Sequence, residues 1–334
     1  MVRRSSIVAL VVAVVCVALP ASARQGPDVD RILASARAAL GGEKKLAALK
    51  TFAATGQAVR VVNEASTAPG DTEIAFELPD RFMKKELLAV LGNAAITRTS
   101  GFNGDVPINV IDQPPAMGGA MVVRFGAGPG AGEAQTPEQQ EEQRQRQLLA
   151  ARQDFARLAL GMLAASPAGY PVQFTYAGQA ESPDGKADVL DVKGEGDFAA
   201  RLFIDSATHL PLMLSWMARE PIMITNTISR GGPGTQGGGR GNVMVAPPGG
   251  ISHGTLTPEE RDKMMKQIEE QRKQAEAKAR VVEYRLYYGD YRNVDGIQVP
   301  FHLQRSIDGK PTEEVTWEKV KINEKIDPKR FETK

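Results

Sequence analysis

Hydrophobic positions change period several times along the chain, and each change marks an element. Between residues 28 and 50, Ile32, Leu33, Ala36 and Leu40 recur at helical spacing; Gly41-Gly42 interrupts them, and Leu46 and Leu49 resume the pattern. From Thr51 the period is two. Residues 52–62 are rich in Val and Ala, and Ile74, Phe76 and Leu78 oppose Glu73 and Glu77. Short strands are predicted at 81–90, 94–100 and 105–111, with Asn103-Gly104 as a hairpin turn. Successive strands without intervening helices predict an antiparallel sheet.

Residues 112–135 are rich in Gly, Pro and Ala and read as an irregular loop. Thr136-Pro137-Glu138-Gln139 then forms a capping box, opening a helix over 137–165. Its stripe is Leu148, Arg152, Phe155, Leu158 and Met162. Strand patterns return at 171–178, 187–193, 197–205 and 210–218. A second insertion spans 229–280. Nine glycines between Gly231 and Gly250 precede a charged helix over 258–280, whose apolar content is Met264, Met265 and Ile268. Strands at 282–288, 297–307 and 312–322 close the chain, with turns at Val294-Asp295-Gly296 and Asp308-Gly309. The whole predicts a mainly β fold: a curved antiparallel half-barrel of ten to twelve strands, covered on its concave side by the helices 28–50 and 137–165.

The N-terminus looks like an export signal. Arg3 and Arg4 precede an apolar run from Ile7 to Leu19, and Ala21-Ser22-Ala23 suits cleavage before Arg24. The run is shorter than the ~20 residues of a membrane span. The expected organisation is a signal peptide at 1–23 and one domain over 24–334, with insertions at 112–166 and 229–280, located in the periplasm.

Composition removes several chemistries. A net charge of +1 gives no general attraction for nucleic acid. The single cysteine, Cys16, leaves no intramolecular disulfide, and His209, His253 and His302 lie outside any HExxH spacing. Gly232-x-Gly234-x-x-Gly237 matches a dinucleotide fingerprint formally, but no helix follows its third glycine, so it reads as loop. Asp205 and His209 flank a turn, where Asp205 reads as a turn former rather than the partner of a catalytic base. No enzyme, metal or cofactor is expected.

Such a sheet has one long apolar face. If it curls, one alternation phase converges on a cavity: Ile74, Phe76 and Leu78, then Leu202 and Ile204. Leu212, Leu214 and Trp216 follow, then Val299, Phe301 and Leu303. The same residues suit an ordinary core beneath helices. Phe155, Leu158 and Met162 fit either a core-facing stripe or a lid over an apolar groove.

Three stretches carry a resemblance. Ile32-Leu33-Ala34 through Ala39-Leu40-Gly41-Gly42 to Leu49-Lys50 resembles the N-terminal helix and first strand of LolA/LolB-like proteins, the outer-membrane lipoprotein-sorting superfamily. Arg201-Leu202-Phe203-Ile204-Asp205 through Thr208-His209-Leu210-Pro211 is similar to its mid-sheet hairpin. Tyr291-Arg292-Asn293-Val294-Asp295-Gly296-Ile297, Val299-Pro300-Phe301, Asn323 and Phe331 resemble its closing strands. The resemblance implies a half-open barrel over helices whose apolar concave face holds acyl chains, with no metal, cofactor or catalysis. It assigns no role to an individual residue. The expected function is a non-catalytic envelope carrier or sensor of lipid or lipoprotein acyl chains. The alternative is an envelope scaffold without a lipid ligand, binding another envelope protein through the 258–280 helix.

Overall fold

The computed structural model describes residues 29–62, 65–66, 69–91, 94–112, 136–167, 169–183, 185–220, 270, 274 and 279–332. The signal segment 1–23, the glycine tract, residues 113–135, and Met264, Met265 and Ile268 lie outside them. The chain divides into two compact units: residues 1–113, 142–218 and 282–334, and residues 114–141 and 219–281. In the second unit, the Glu220 amide donates to the Arg280 carbonyl at 2.8 Å, and the two side chains pair at 3.6 Å.

The first unit opens with helices α1 (Val29–Ala39) and α2 (Glu43–Ala47). Six strands follow: β1 (Thr51–Val62), β2 (Ala65–Ser66), β3 (Gly70–Glu77), β4 (Arg81–Leu91), β5 (Ala94–Asn103) and β6 (Val106–Asp112). After α3 (Pro137–Leu163), which begins in the second unit, come β7 (Gln173–Ser182), β8 (Gly185–Lys193), β9 (Ala199–Asp205) and β10 (Pro211–Arg219). The last strands are β11 (Val281–Val294), β12 (Ile297–Ile307) and β13 (Lys310–Ile322). They form one sheet in the order β6-β5-β4-β3-β1-β13-β12-β11-β10-β9-β8-β7, with β2 paired to β1 outside that path. The order runs between two edges, β6 and β7, so the sheet is open.

Its curvature follows from what α3 touches. The Phe155 ring lies 5.9 Å from Phe102 on β5, and the Arg157 guanidinium lies 4.9 Å from the Trp216 ring on β10. β5 and β10 are seven steps apart in the strand order, which is ~34 Å in a flat sheet at ~4.8 Å per step. Residues two apart on a helix are separated by only ~3 Å of rise. The sheet therefore curls around α3, giving a mainly β half-barrel with helix on its concave face.

Local chemistry sets these elements. The Gln139 amide donates to Thr136 Oγ1 at 3.3 Å and the Thr136 amide to Gln139 Oε1 at 3.1 Å, so the capping box forms as the sequence predicts. The β11–β12 and β12–β13 turns place Asp295-Gly296 at φ 51° and 84°, and Asp308-Gly309 at φ 47° and 76°. Two consecutive positive φ values are what a type I′ two-residue hairpin requires. Gly161 lets α3 lie directly on Tyr288: a Cβ there would stand 2.0 Å from Tyr288 Cζ. The Tyr288 hydroxyl donates to the Arg157 carbonyl at 2.8 Å.

One core fills the concave side. Ile32, Leu33, Ala36 and Leu40 of the N-terminal helical segment join it, and the Gln298 amide donates to the Leu40 carbonyl at 2.8 Å. On the convex face, the C-terminal segment buries Ile326 and Phe331 against Ala75, Met83 and Ile108. Asn323 ties that segment down: its Oδ1 accepts from the Lys50 amide at 2.8 Å, and its Nδ2 donates to the Ala48 carbonyl at 3.2 Å.

Candidate functional site

Along the strands the concave face changes character. At one end it is aromatic. Phe155 of α3 packs at centroid distances of 5.4 Å from Phe76 and 5.0 Å from Phe82, and Phe76 stacks on Phe52 at 5.1 Å. Ile74, Phe76, Leu202, Ile204, Leu214, Val299, Phe301 and Leu303 are buried in the same core as Phe155, Leu158 and Met162. Leu78 and Trp216 are half-buried against it. The structure thus brings together ten of the eleven apolar residues read from the sequence, beneath the helix.

Leu212 differs: it is 39% exposed. Pro211 pairs with Ile204 and Met213 with Phe203, so Leu212 is an extra residue in a β-bulge. The bulge shifts the alternation, placing Met213 with Phe203 on the convex face and Leu214 with Leu202 on the concave one.

At the other end, the same alternation phase carries charges. Phe82 continues to Lys84 and Glu86, Leu303 to Arg305, and Val315 back to Glu313. These side chains, with Asp154 and Arg157 of α3 and both Trp216 and Trp317, line a cavity of about 60 Å³. Lys84 pairs with Glu86; Arg305 reaches Glu86 at 3.3 Å and Glu313 at 3.4 Å. Burial alone would raise the Glu86 carboxyl, but Lys84, Arg305 and Arg98 outweigh it and hold it at about 2. Arg305 keeps 40% of its side-chain surface exposed.

Arg157 is the least compensated member. Its guanidinium lies 5.4 Å from the Phe198 ring and 4.9 Å from the Trp216 ring, and Trp216 stacks on Tyr284 at 5.5 Å. Asp154 accepts from Nη1 at 2.9 Å, while the buried Nε has no hydrogen-bond partner among the described residues. Burial pulls its pKa down, Asp154 opposes this, and the neighbouring Arg305 adds to the decrease.

The sequence reading missed this charged end because charges on a strand are read as solvent-facing. The available signal was phase: extending each apolar alternation by one or two more positions puts Lys84, Glu86, Arg305 and Glu313 on the core face. Asp205 is the turn former anticipated, its Oδ1 accepting from the Ala207 amide at 3.1 Å and the Thr208 hydroxyl at 2.8 Å. Among the described residues, no three His, Cys, Asp or Glu side chains are grouped to hold a metal, and no helix is long and apolar enough to cross a membrane.

The cavity also bounds what the groove admits as it stands. A cavity of ~150 Å³ accepts benzene; about 60 Å³ holds a few waters and no acyl chain. The apolar groove is occupied by α3.

No protein-family model matches the sequence, and no curated protein does. Among solved structures, the fold is similar to a LolA superfamily protein from Nitrosomonas europaea, at 9% identity and a TM-score of 0.41. It is similar to a domain described as an outer membrane lipoprotein-sorting protein from Vibrio parahaemolyticus, at 10% identity and 0.40. A DUF1329 family protein from Desulfovibrio piger matches at 7% identity and 0.39. Each likeness covers 91% of this chain and 97% of the other.

Proposed function

We propose that the protein is a non-catalytic cell-envelope carrier or sensor that takes an acyl chain of a lipid or lipoprotein into the groove filled by α3, which acts as a displaceable plug. The observation that supports this most is that one helix fills the apolar groove of an open sheet. The helix is held there through its second half, since residues 137–146 are almost wholly exposed and burial begins at Leu148.

The energies are of matching size. α3 buries Leu148, Phe155, Leu158, Leu160, Met162 and Leu163, at ~1.5–3 kcal/mol each, or roughly 9–18 kcal/mol in gross terms. A sixteen-carbon chain entering the same groove recovers ~0.8 kcal/mol per methylene, roughly 12 kcal/mol. Exchange of helix for acyl chain is therefore close to balanced, the condition under which a plug both seals the groove and yields to ligand. The export signal read at 1–23 supports an envelope location, where such ligands occur.

Native mass spectrometry of protein purified from periplasm without detergent tests this. Adducts with the masses of acyl-bearing lipids or lipoproteins are expected. Adduct-free protein that also fails to bind a fluorescent fatty-acyl probe overturns it, and leaves the concave face as plain core and the sheet as a scaffold.

A further inference from the structure

We propose that, when α3 leaves the groove, the phosphate-and-ammonium head of a zwitterionic phospholipid takes the places that Asp154 and Arg157 vacate. This rests on the acyl-chain reading above and adds the head group to it.

The helix brings its own pair of opposite charges into the cavity. Asp154 and Arg157 are neighbours on its surface and pair at 2.9 Å. The guanidinium lies against ring faces, 5.4 Å from Phe198 and 4.9 Å from Trp216. Its buried Nε has no hydrogen-bond partner among the described residues. Much of its support therefore comes from rings, which attract positive charge and require no N–H donor. A trimethylammonium group meets that description.

The rings are positioned by residues outside α3. Trp216 on β10 stacks on Tyr284 of β11 at 5.5 Å, and Phe198 packs edge-on against Tyr170 at 5.6 Å. The Tyr170 hydroxyl in turn donates to the Glu195 carbonyl. Departure of the helix thus empties a cation site that is already formed.

The charges lining the cavity favour a neutral head. With α3 in place they are Lys84, Arg157 and Arg305 against Glu86, Glu313 and Asp154. Without it they are Lys84 and Arg305 against Glu86 and Glu313. Both sets are balanced, so a zwitterion preserves the balance, whereas a head with one charge leaves it uncompensated. Arg305 is where the anionic half belongs. Burial would lower its pKa, but Glu313, Glu86 and Asp154 together raise it, so one anion that supports Arg305 departs with the helix. A phosphate there replaces it with a charge-assisted bond.

Trp216 and Arg305 line one cavity, and Ile74, Phe82 and Leu303 continue from it into the groove, so head and tail sites join. Asp154, Arg157 and Leu158 are part of the lining, so their departure enlarges the about 60 Å³ of the closed state.

Three probes with the same twelve-carbon tail separate the two charges. They are dodecylphosphocholine, methyl dodecyl phosphate with the anion alone, and dodecyltrimethylammonium with the cation alone. In calorimetric titration of the full chain below the micelle concentrations, dodecylphosphocholine is expected to bind ~10-fold tighter than either. Trp216→Leu is expected to abolish its advantage over the phosphate, and Trp216→Phe to keep part of it. Arg305→Gln is expected to abolish its advantage over the ammonium. In wild type, which needs no variant to fold, the N-methyl proton resonance of bound dodecylphosphocholine is expected to move upfield in the ring current of Trp216 and Phe198. Affinity no better than that of either single-charge probe, or an unshifted N-methyl resonance, overturns the head-group site. The acyl-chain reading then stands if a fluorescent fatty-acyl probe still binds. Failure of that probe and all three amphiphiles to bind overturns both.

Discussion

Phe155→Ala separates a plug from an ordinary core helix. Phe155 is 1% exposed, with its ring 5.4, 5.0 and 5.9 Å from Phe76, Phe82 and Phe102. Truncation of such a side chain costs ~3–5 kcal/mol. If ligand entry requires α3 to leave, those contacts exist only in the closed state. Their loss then lowers the cost of opening by the same amount, and at ~1.4 kcal/mol per tenfold a 3 kcal/mol loss raises apparent affinity roughly 100-fold. Phe82→Ala provides the contrast. It is 2% exposed on the groove wall, so its truncation costs a similar amount of stability but removes a surface the acyl chain would use, and affinity is expected to fall. Urea unfolding followed by tryptophan fluorescence gives stability, and titration with a fluorescent fatty-acyl probe gives affinity. A destabilised Phe155→Ala protein that binds the probe no better than wild type would refute displacement of α3.

Other outcomes follow from individual contacts. Gly161→Ala drives a methyl into the Tyr288 ring and is expected to cost ~1–3 kcal/mol by thermal unfolding, whereas Tyr288→Phe loses one hydrogen bond, ~1 kcal/mol. Glu86 has its folded pKa depressed from 4.5 to about 2, so its stabilisation is complete above pH ~4.5 and is lost as pH falls towards ~2, at ~1.4 kcal/mol per unit of depression. Glu86→Gln is expected to flatten that acid limb in pH-dependent urea unfolding. Thr136→Ala removes half of the capping box, and is expected to cost ~1 kcal/mol locally, seen as faster amide exchange in the first turn of α3 with little change in global melting.

The parts of the fold legible in the sequence are those governed by local chemistry. Alternation at Ile74 and Phe76, the Asp295-Gly296 and Asp308-Gly309 turns, and the Thr136 cap each depend on a few adjacent residues, and each forms as read. What escaped depends on partners distant in sequence. The bulge at Leu212 is a mismatch between β9 and β10, and nothing in Leu210–Trp216 alone announces it. The ion cluster is assembled from β4, β12, β13 and α3, where each charge looks solvated until its partners are placed beside it. Ile326 and Phe331 lie outside any periodic segment, so their covering of the convex face is visible only once the sheet exists. The apolar face was legible as a face; that α3 fills it depends on Gly161 meeting Tyr288, over a hundred residues away.

Hydrogen–deuterium exchange across residues 148–163, with and without a saturating fatty acid, tests the displaceable plug most directly. In the closed state those amides belong to a buried helix and exchange slowly. Displacement by ligand requires that they lose protection while the groove strands β3, β4 and β12 keep or gain it. Unchanged or increased protection of 148–163 with ligand demonstrably bound would contradict the plug and place the ligand elsewhere.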